Sequence, residues 1–222
     1  MAARDSFRIL TRDIEACQLC PRLRAHCVEI ARIKRRAYRD QEYWGRPVPG
    51  FGDPSARLLI VGLAPGAHGA NRTGRMFTGD PSGDLLYGVL HRTGFASQPE
   101  SVRRDDGLTL RDTYITASAR CAPPDNKPTR EEIRNCRTFL TRELAILTNV
   151  QAVVALGRIA HDNYLETIGE VRARFPFEHR RTHSLNPVLI DSYHPSQQNT
   201  STGRLTEPML RAVFESARSL LK

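Results

Sequence analysis

The residue types best suited to chemistry are concentrated in residues 62–80, a glycine-rich stretch that follows the apolar run from Leu58 to Val61. Glycine lets a backbone coil tightly or come close to a ligand. A strand that ends in such a loop places it at the carboxyl edge of a sheet, where open α/β folds bind ligands. The stretch matches neither a P-loop nor the dinucleotide fingerprint. It therefore favours a base or sugar lying on exposed backbone groups, with a glycine-rich surface turn as the alternative.

Two side chains of this stretch each have two possible roles. Asp80 is its only carboxylate, and a carboxylate here would orient water or stabilise positive charge on a sugar. It would serve equally well as the N-cap of a helix that starts after Pro81. Phe77 can stack on a planar ring or pack in the core. His68 and Asn71 are further polar candidates in the same loop.

Polar side chains also follow two later strands. His194 comes after a predicted strand and precedes Pro195, which restricts the backbone of the histidine. A rigidly held imidazole can donate a hydrogen bond to a leaving-group oxygen, although an isolated histidine is more often structural. Asn126 offers a donor and an acceptor, which suits recognition of the edge of a base.

Four of the five cysteines form two pairs, Cys17 with Cys20 and Cys121 with Cys136. Four thiolates from two regions suit a 4Fe–4S cluster or a tetrahedral zinc ion. The spacing does not choose between these, and four ordinary buried cysteines are the remaining alternative. Cys27 is interpreted as a small core or surface residue.

The charge indicates a polyanionic partner. The net charge is +9 and the pI about 9.8, which makes nucleic acid the first candidate. Between Arg22 and Arg39 there are seven Lys or Arg residues and one acidic residue, Glu29. A solvated charged face is the alternative. Since no apolar stretch approaches the roughly 18 residues of a membrane span and no signal peptide is visible, we expect a cytoplasmic protein without a membrane partner.

The elements that must position these residues alternate between strands and helices. Apolar or β-branched runs predict strands at 57–63, 113–117, 152–156 and 188–191. Helical periodicity predicts helices at the N-terminus, after residue 80, from a capping box at Thr129, at 158–168, and after a cap at Thr206. This order indicates an α/β fold with a parallel sheet and helices on both faces. Loops 62–80, 118–128 and 192–205 should meet at one edge, within a single domain spanning residues 1–222.

The residues in these loops also resemble a known family. Residues 62–75 resemble the first motif of the family 5 (type B) uracil-DNA glycosylases, and residues 194–206 resemble their second motif. Cys17, Cys20, Cys121 and Cys136 match the ligands of that family's 4Fe–4S cluster in order and rough spacing. The resemblance runs from about residue 13 to the C-terminus.

The resemblance implies a three-layer αβα sandwich with a parallel four-stranded sheet. It implies excision of uracil, and in many members also of hypoxanthine, xanthine or ethenocytosine, from double-stranded DNA, which initiates base excision repair. We expect the protein to act as a monomer. An iron-sulfur cluster would tie in the N-terminal helical and basic segment. The family's DNA would contact a wedge loop and nearby side chains, at Arg72, Ser196, Gln197, Gln198 and Arg204.

The same resemblance assigns the site. Asp80, His194 and Asn126 would be catalytic, with His194 stabilising the departing base and Asp80 acting through water. The base pocket would consist of the first-motif backbone and nearby side chains, at Gly62, Leu63, Ala64, Pro65, Gly66, His68, Asn71, Phe77 and Asn199.

Three positions depart from what related glycosylases carry. Ala64 stands where other families have Asp, Asn or Glu, and since alanine cannot activate water, Asp80 becomes the substitute. Met76 stands where we expect proline, and Gln197-Gln198 is a poor apolar wedge. Two other functions remain open: a metal-stabilised DNA-binding module without catalysis, and an enzyme of small nucleotides.

Overall fold

The computed structural model describes residues 5–221. Within them the chain forms eight α-helices and six strands. The helices are α1 (Phe7–Glu15), α2 (Pro21–Ile33), α3 (Ala70–Thr73), α4 (Pro81–Arg92), α5 (Arg130–Ile146), α6 (Arg158–Thr167), α7 (Gln197–Ser201) and α8 (Glu207–Leu220). The strands are β1 (Phe51–Gly52), β2 (Leu58–Gly62), β3 (Thr113–Ala117), β4 (Ala152–Leu156), β5 (Thr182–His183) and β6 (Val188–Ser192).

The sheet corrects the prediction of four strands. Its order is β1-β3-β2-β4-β6-β5, and the four central strands run parallel, as predicted. The two-residue strands β1 and β5 extend it at the edges, each antiparallel to its neighbour. Such short strands carry no alternating or β-branched pattern, and only their pairing with β3 and β6 defines them. An edge of this kind leaves few unpaired backbone groups.

The helices cover both faces of the sheet, which confirms the three-layer architecture. One apolar core packs Leu86 of α4 and Phe214 of α8 against strand residues such as Ile60. A second core, on the opposite face, contains Leu140 of α5 and Tyr164 of α6. The parallel strands are buried on both faces, so they appear in the sequence as continuous apolar runs.

Short polar side chains start the main helices where the sequence predicts. Ser6 caps α1, Thr129 and Glu132 form a reciprocal capping box on α5, and Thr206 caps α8. Asp80 caps α4 by accepting a hydrogen bond from the backbone N–H of Gly83. Each cap satisfies a backbone donor that the first helical turn leaves unpaired.

The N-terminal segment is joined to the rest of the fold by ion pairs. Arg142 on α5 binds Asp5 and Asp13 at the two ends of α1. Arg22 on α2 makes a bidentate contact with Glu132 on α5, at 2.7 and 2.8 Å. Much of the predicted basic stretch is helical, because α2 continues to Ile33. Among the helices that the structure describes, none is long and apolar enough to cross a lipid bilayer.

The predicted loops converge on the carboxyl edge of the parallel strands. The loop after β3 runs beside the one after β2, since Ser118 and Ala119 donate backbone hydrogen bonds to Gly62 and Leu63. The loop after β6 reaches the same place, where the rings of Phe77 and His194 lie 5.8 Å apart. This edge therefore holds the candidate site.

Candidate active site

The glycines after β2 make room for the carboxyl group of Asp80. A Cβ atom added at Gly69 would lie 1.8 Å from Asp80 Oδ2, and one at Gly66 would lie 2.9 Å from it. A methyl group cannot be accommodated at either distance without displacing a neighbour. The glycine-rich loop is thus wrapped around the one carboxylate of the stretch, which brings Asp80 to the first-motif backbone.

The surroundings of Asp80 favour its neutral form more than water does. Burial raises the pKa of the Asp80 carboxyl above that of an ordinary aspartate. The backbone N–H groups of Gly83 and Ser82 lower the same pKa by donating hydrogen bonds to the carboxylate, and this only partly opposes burial. Asp80 is therefore both the cap of α4 and a carboxyl group with a shifted pKa.

Phe77 lies against the end of β2. Its ring is so close to Gly62 that a Cβ there would lie 2.8 Å from ring carbons. The backbone of Phe77 has φ of +52°, in the left-handed region that non-glycine residues seldom occupy. Strained residues of this kind persist where surrounding structure holds them, and they are common at functional sites.

His194 is held from two sides. The side-chain amide of Asn199 donates a hydrogen bond of 2.8 Å to the His194 carbonyl. On the other side, the Cβ of His194 lies close to Gly157, where an added Cβ would be only 3.3 Å from it. Burial lowers the pKa of His194 to about 4, so the imidazole is neutral at pH 7. A neutral imidazole donates one hydrogen bond and accepts one.

A pocket of about 470 Å³ opens beside His194. Leu63, Asn199 and Arg204, which the sequence indicates, line it together with residues that the sequence analysis missed: Leu156, Gly157, Arg158, Ile159, Phe177, Glu178 and Tyr193. Residues 156–159 follow β4, so the rule that strand ends meet at one edge could have found them. Phe177 and Glu178 lie in a loop without a pattern and gave no such signal.

Aromatic rings and arginines stack along one wall of this pocket. The ring of Tyr193 stacks on that of His179 at 4.8 Å, and Arg204 lies 4.6 Å above the Tyr193 ring. Arg158 lies 5.6 Å from the centre of the Phe177 ring. The wall thus presents π-faces and cationic groups together.

Two predicted site residues have structural contacts instead. Asn71 is fully buried, and its amide donates to the carbonyls of Cys27 and Ala67. Arg72, predicted to contact DNA, is 7% exposed. Its guanidinium binds the carbonyls of His68 and Gly79 and the side chain of Gln41. We therefore assign both to the internal support of the loop, which glycine-rich loops need because they lack side chains of their own for packing.

The other sequence-derived candidates lie at varied depths. Among the backbone positions proposed for the base pocket, Ala64 and Gly66 are half-buried and Pro65 is buried. His68 bonds to the hydroxyl of Tyr43 at 3.1 Å, and burial lowers its pKa. Asn126 lies on an exposed turn with φ of +56° and is absent from the lining of the pocket.

The predicted wedge forms the start of a short helix. Ser196 caps α7 by accepting a hydrogen bond from the Asn199 N–H. Gln197 and Gln198 occupy the first turn of α7, and both are exposed. Arg204, near the end of the second motif, is also exposed. These side chains are accessible to a large ligand.

The four predicted ligand cysteines lie in one region. Cys20 starts α2, Cys121 follows β3 and Cys136 is on α5; all three are buried, while Cys17 is half-buried. Burial is the main cause that raises the pKa of the Cys20 thiol, and the charges of Cys121 and Cys17 act in the same direction. Cys20 and Cys121 also belong to one small buried cluster.

The thiols do not form a closed ligand set. Cys27 is buried and its thiol contacts that of Cys121, so the fifth cysteine belongs to the same region. Within residues 5–221, the one group with three or more possible metal-ligand atoms close together is elsewhere. It consists of His161, His183 and Asp191, whose ligand atoms lie within 4.8 Å of one another.

Comparison with known proteins shows the family to which this chain is similar. Residues 49–218 match the profile of the Uracil DNA glycosylase superfamily. The chain is 52% identical to a type-5 uracil-DNA glycosylase of Thermus thermophilus, over 93% of this chain and 94% of that protein. It is 50% identical to one of Mycobacterium leprae, over 95% and 94%, and 46% identical to one of Pyrobaculum aerophilum, over 90% and 87%.

More distant relatives are type-4 uracil-DNA glycosylases. A type-4 uracil-DNA glycosylase of Archaeoglobus fulgidus is 34% identical over 76% of this chain and 77% of its own length. The higher identity belongs to the type-5 proteins, as the two sequence motifs predicted. This chain therefore belongs to the uracil-DNA glycosylase superfamily and, within it, to the type-5 family.

Proposed function

We propose that this protein is a monofunctional DNA glycosylase that removes uracil, hypoxanthine, xanthine and ethenocytosine from double-stranded DNA. The observation that carries the proposal is the meeting of Phe77, Asp80 and His194 around the backbone of residues 62–69, at the carboxyl edge of the sheet. The names of the type-5 relatives supply the substrate uracil. The wider range of bases rests on the family resemblance.

The chemistry divides between the two sides of the scissile bond. Hydrolysis breaks the bond between the base nitrogen and the sugar C1′ and leaves both bonding electrons on the base. The water oxygen bonds to C1′ as a hydroxyl group, and the proton that the water loses balances the one that the base nitrogen takes up from solvent. Neutral His194 would donate a hydrogen bond to the base oxygen where negative charge develops. Asp80 would stabilise positive charge on the sugar or orient the water, since Ala64 offers no functional group there. Phe77 would stack on the flipped base.

The basic segment before the glycine loop would bind the DNA backbone. Its end packs on that loop, because Tyr38 stacks on Arg72 at 3.9 Å and the Trp44 N–H donates to the Arg72 carbonyl. Exposed Arg35, Arg36 and Arg39 thus lie near the site. Contacts with phosphates are independent of sequence, as a repair enzyme that searches DNA requires, and α7 would fill the space left by the flipped nucleotide.

We also propose that Cys17, Cys20, Cys121 and Cys136 hold a 4Fe–4S cluster. Nitrogen donors point at two of the sulfurs: Arg24 Nη1 lies 3.9 Å from Cys121 Sγ, and Asn135 Nδ2 lies 3.6 Å from Cys20 Sγ. Hydrogen bonds of this kind are usual around iron-sulfur clusters. When bound, the cluster would cross-link α2, α5 and the loop after β3, a role that supports the fold and needs no redox step.

The activity is tested with a duplex that contains one uracil. Incubation with the protein, followed by alkali, should cleave the uracil strand at the resulting abasic site, and duplexes with the other three bases test the wider range. Binding of the duplex without cleavage would indicate a DNA-binding module instead. Hydrolysis of free nucleotides but not of the duplex would indicate an enzyme of small nucleotides.

The cluster is tested on protein purified without oxygen. We expect a broad visible absorption and about four irons per chain, with both signals lost in the Cys17→Ser/Cys20→Ser variant and retained in Cys27→Ser. One zinc per chain and no visible absorption would instead show a tetrahedral zinc site.

A further inference from the structure

A buried polar cluster lies behind the pocket, outside the glycine loop and the cysteines. Asp191 on β6 is fully buried, and its carboxylate contacts two histidines. The Nδ1 of His161 on α6 is 2.6 Å from Asp191 Oδ1, and the Nε2 of His183 on β5 is 2.9 Å from Oδ2. Three elements of the fold therefore meet at one carboxylate. Nothing in the proposed chemistry uses it.

Hydrogen bonding determines which nitrogens of His161 carry protons. Its Nε2 lies 2.8 Å from the Phe175 carbonyl, which can only accept, so Nε2 is a donor. The Nδ1 of the same ring lies 2.6 Å from Asp191 Oδ1, so both ring nitrogens have a hydrogen-bond partner and the orientation of the ring is fixed. Hydrogen bonds are strong in a buried setting of this kind.

The distances argue for protons in this cluster rather than a metal ion. Zinc holds its ligands at about 2.0–2.1 Å, which separates tetrahedral ligand atoms by about 3.3 Å. Here the nitrogen–oxygen separations are 2.6 and 2.9 Å. They match hydrogen bonds and leave no position for an ion between the partners.

The cluster holds the loop that forms one wall of the pocket. His161 Nε2 donates to the Phe175 carbonyl, and Asp191 Oδ2 accepts the Glu178 N–H at 3.2 Å. The ring of Phe177 packs edge-on against His161, with centroids 5.6 Å apart. Phe177 and Glu178 both line the pocket. Their position thus depends on the side chains of Asp191 and His161, which lie beneath them.

The same loop reaches the residue next to His194. The ring of His179 stacks on Tyr193, and its Nδ1 accepts the Tyr193 N–H at 3.1 Å. Asp191 itself lies three positions before His194 on the same strand and its extension. The cluster is therefore connected to His194 along β6 and, separately, through the loop and Tyr193.

We propose that His161, Asp191 and His183 are positioning residues for the pocket: they fix the 175–183 loop and, with it, Tyr193 and His194. The inference rests on the proposed glycosylase activity of His194. Misplacing a catalytic group by about 1 Å can slow a reaction by about 10²-fold. A defect in this cluster should therefore slow the chemical step more than it weakens duplex binding.

The first experiment uses Asp191→Asn, which preserves volume and replaces one of the two carboxylate oxygens that contact the histidines by an amide nitrogen. We expect single-turnover excision of uracil to slow by at least about tenfold, since small displacements are costly at a reacting centre. The affinity for a duplex with a non-cleavable 2′-fluorinated deoxyuridine should change less than threefold. The control is Asp112→Asn. It makes the same substitution at a carboxylate that binds Arg57 near the amino ends of the strands, away from the site. Its excision rate should stay within twofold of the wild-type rate.

A second pair of variants separates positioning from loss of folding. His183→Gln can place an amide nitrogen where Nε2 lies, whereas His183→Ala cannot. We expect His183→Gln to excise uracil faster than His183→Ala, with both variants folded by circular dichroism. Proton NMR should show low-field imidazole N–H signals in the wild type that disappear in Asp191→Asn.

Three results would overturn the proposal. The first is wild-type excision by Asp191→Asn after its low-field signals are lost. The second is equal excision by the two His183 variants, and the third is stoichiometric zinc that disappears with His183→Ala. Failure of the wild-type protein to excise uracil would reject the proposed function instead, while the NMR signals would still report whether the hydrogen-bonded cluster exists.

Discussion

The carboxyl group of Asp80 caps α4 with one oxygen and places the other against the glycine loop, at the site proposed for catalysis. It accepts the Gly83 N–H as the cap of α4, and it packs against the backbone of the glycine loop. The sequence shows an aspartate before a helix as readily as an aspartate in a motif. Only the three-dimensional path of residues 62–69 shows that one oxygen serves the cap while the other faces the loop.

Substitution of Asp80 separates these roles. Asparagine caps helices about as well as aspartate, whereas alanine costs about 1 kcal/mol of unfolding free energy. We expect Asp80→Asn to unfold in urea like the wild type and Asp80→Ala to be less stable by that amount. Both should slow single-turnover excision by about 10²-fold or more, because both lack the charge. An Asp80→Asn enzyme with the wild-type rate would leave Asp80 with its capping role alone.

The lowered pKa of His194 predicts how stability responds to acid. Its folded value is about 4, below the ordinary value near 6.5. Between these values the unfolded chain binds a proton that the folded chain does not, so the His194 contribution to stability is lost as the pH falls from about 6.5 to about 4. His194→Gln should flatten this part of the curve when urea unfolding is measured at several pH values. If the change in unfolding free energy between pH 7 and pH 4.5 is the same in His194→Gln as in the wild type, the lowered pKa of His194 is contradicted.

At the scale of elements, the sequence predicts the strands and helices whose formation depends on residues close together in the chain. The buried parallel strands appear as apolar runs, and the caps at Ser6, Thr129 and Thr206 mark helix starts. The edge strands β1 and β5 are missed because pairing with a neighbour, not composition, creates them. The internal contacts of Arg72 are missed for a related reason, since an arginine in a motif looks the same whether it binds phosphate or three groups of its own chain.

Two glycine substitutions test whether the glycine loop exists to accommodate Asp80. Gly69→Ala would place a Cβ 1.8 Å from Asp80 Oδ2, so we expect the carboxyl group to be displaced and uracil excision to be strongly reduced. Gly88→Ala is the control, because nothing lies within 4 Å of its added Cβ in the middle of α4. That control should keep full activity and gain about 0.5–1 kcal/mol of stability. Equal activity of the two variants would contradict the proposed reason for Gly69.

At the scale of the whole molecule, charge and fold act together. The net charge of +9 does not by itself locate a DNA surface. The fold supports the proposed DNA surface, because the segment that contains Arg35, Arg36 and Arg39 packs on the loop beside Asp80, through Tyr38 and Trp44. The sequence showed the basic run, but the contact that brings it to the site joins residues about 30 positions apart, which no local pattern records.

The salt dependence of duplex binding tests this placement. Each phosphate that a cationic side chain neutralises adds about 0.9 to the slope of log affinity against log salt concentration. The triple variant Arg35→Ser/Arg36→Ser/Arg39→Ser should therefore lower that slope by up to about 2.7, measured by fluorescence anisotropy with a non-cleavable duplex. Arg111→Ser is the matched control, since Arg111 is exposed and precedes the amino end of β3, at the opposite edge of the sheet. Its slope should equal that of the wild type, and an equal loss per arginine removed in the two variants would mean that charge acts without regard to position.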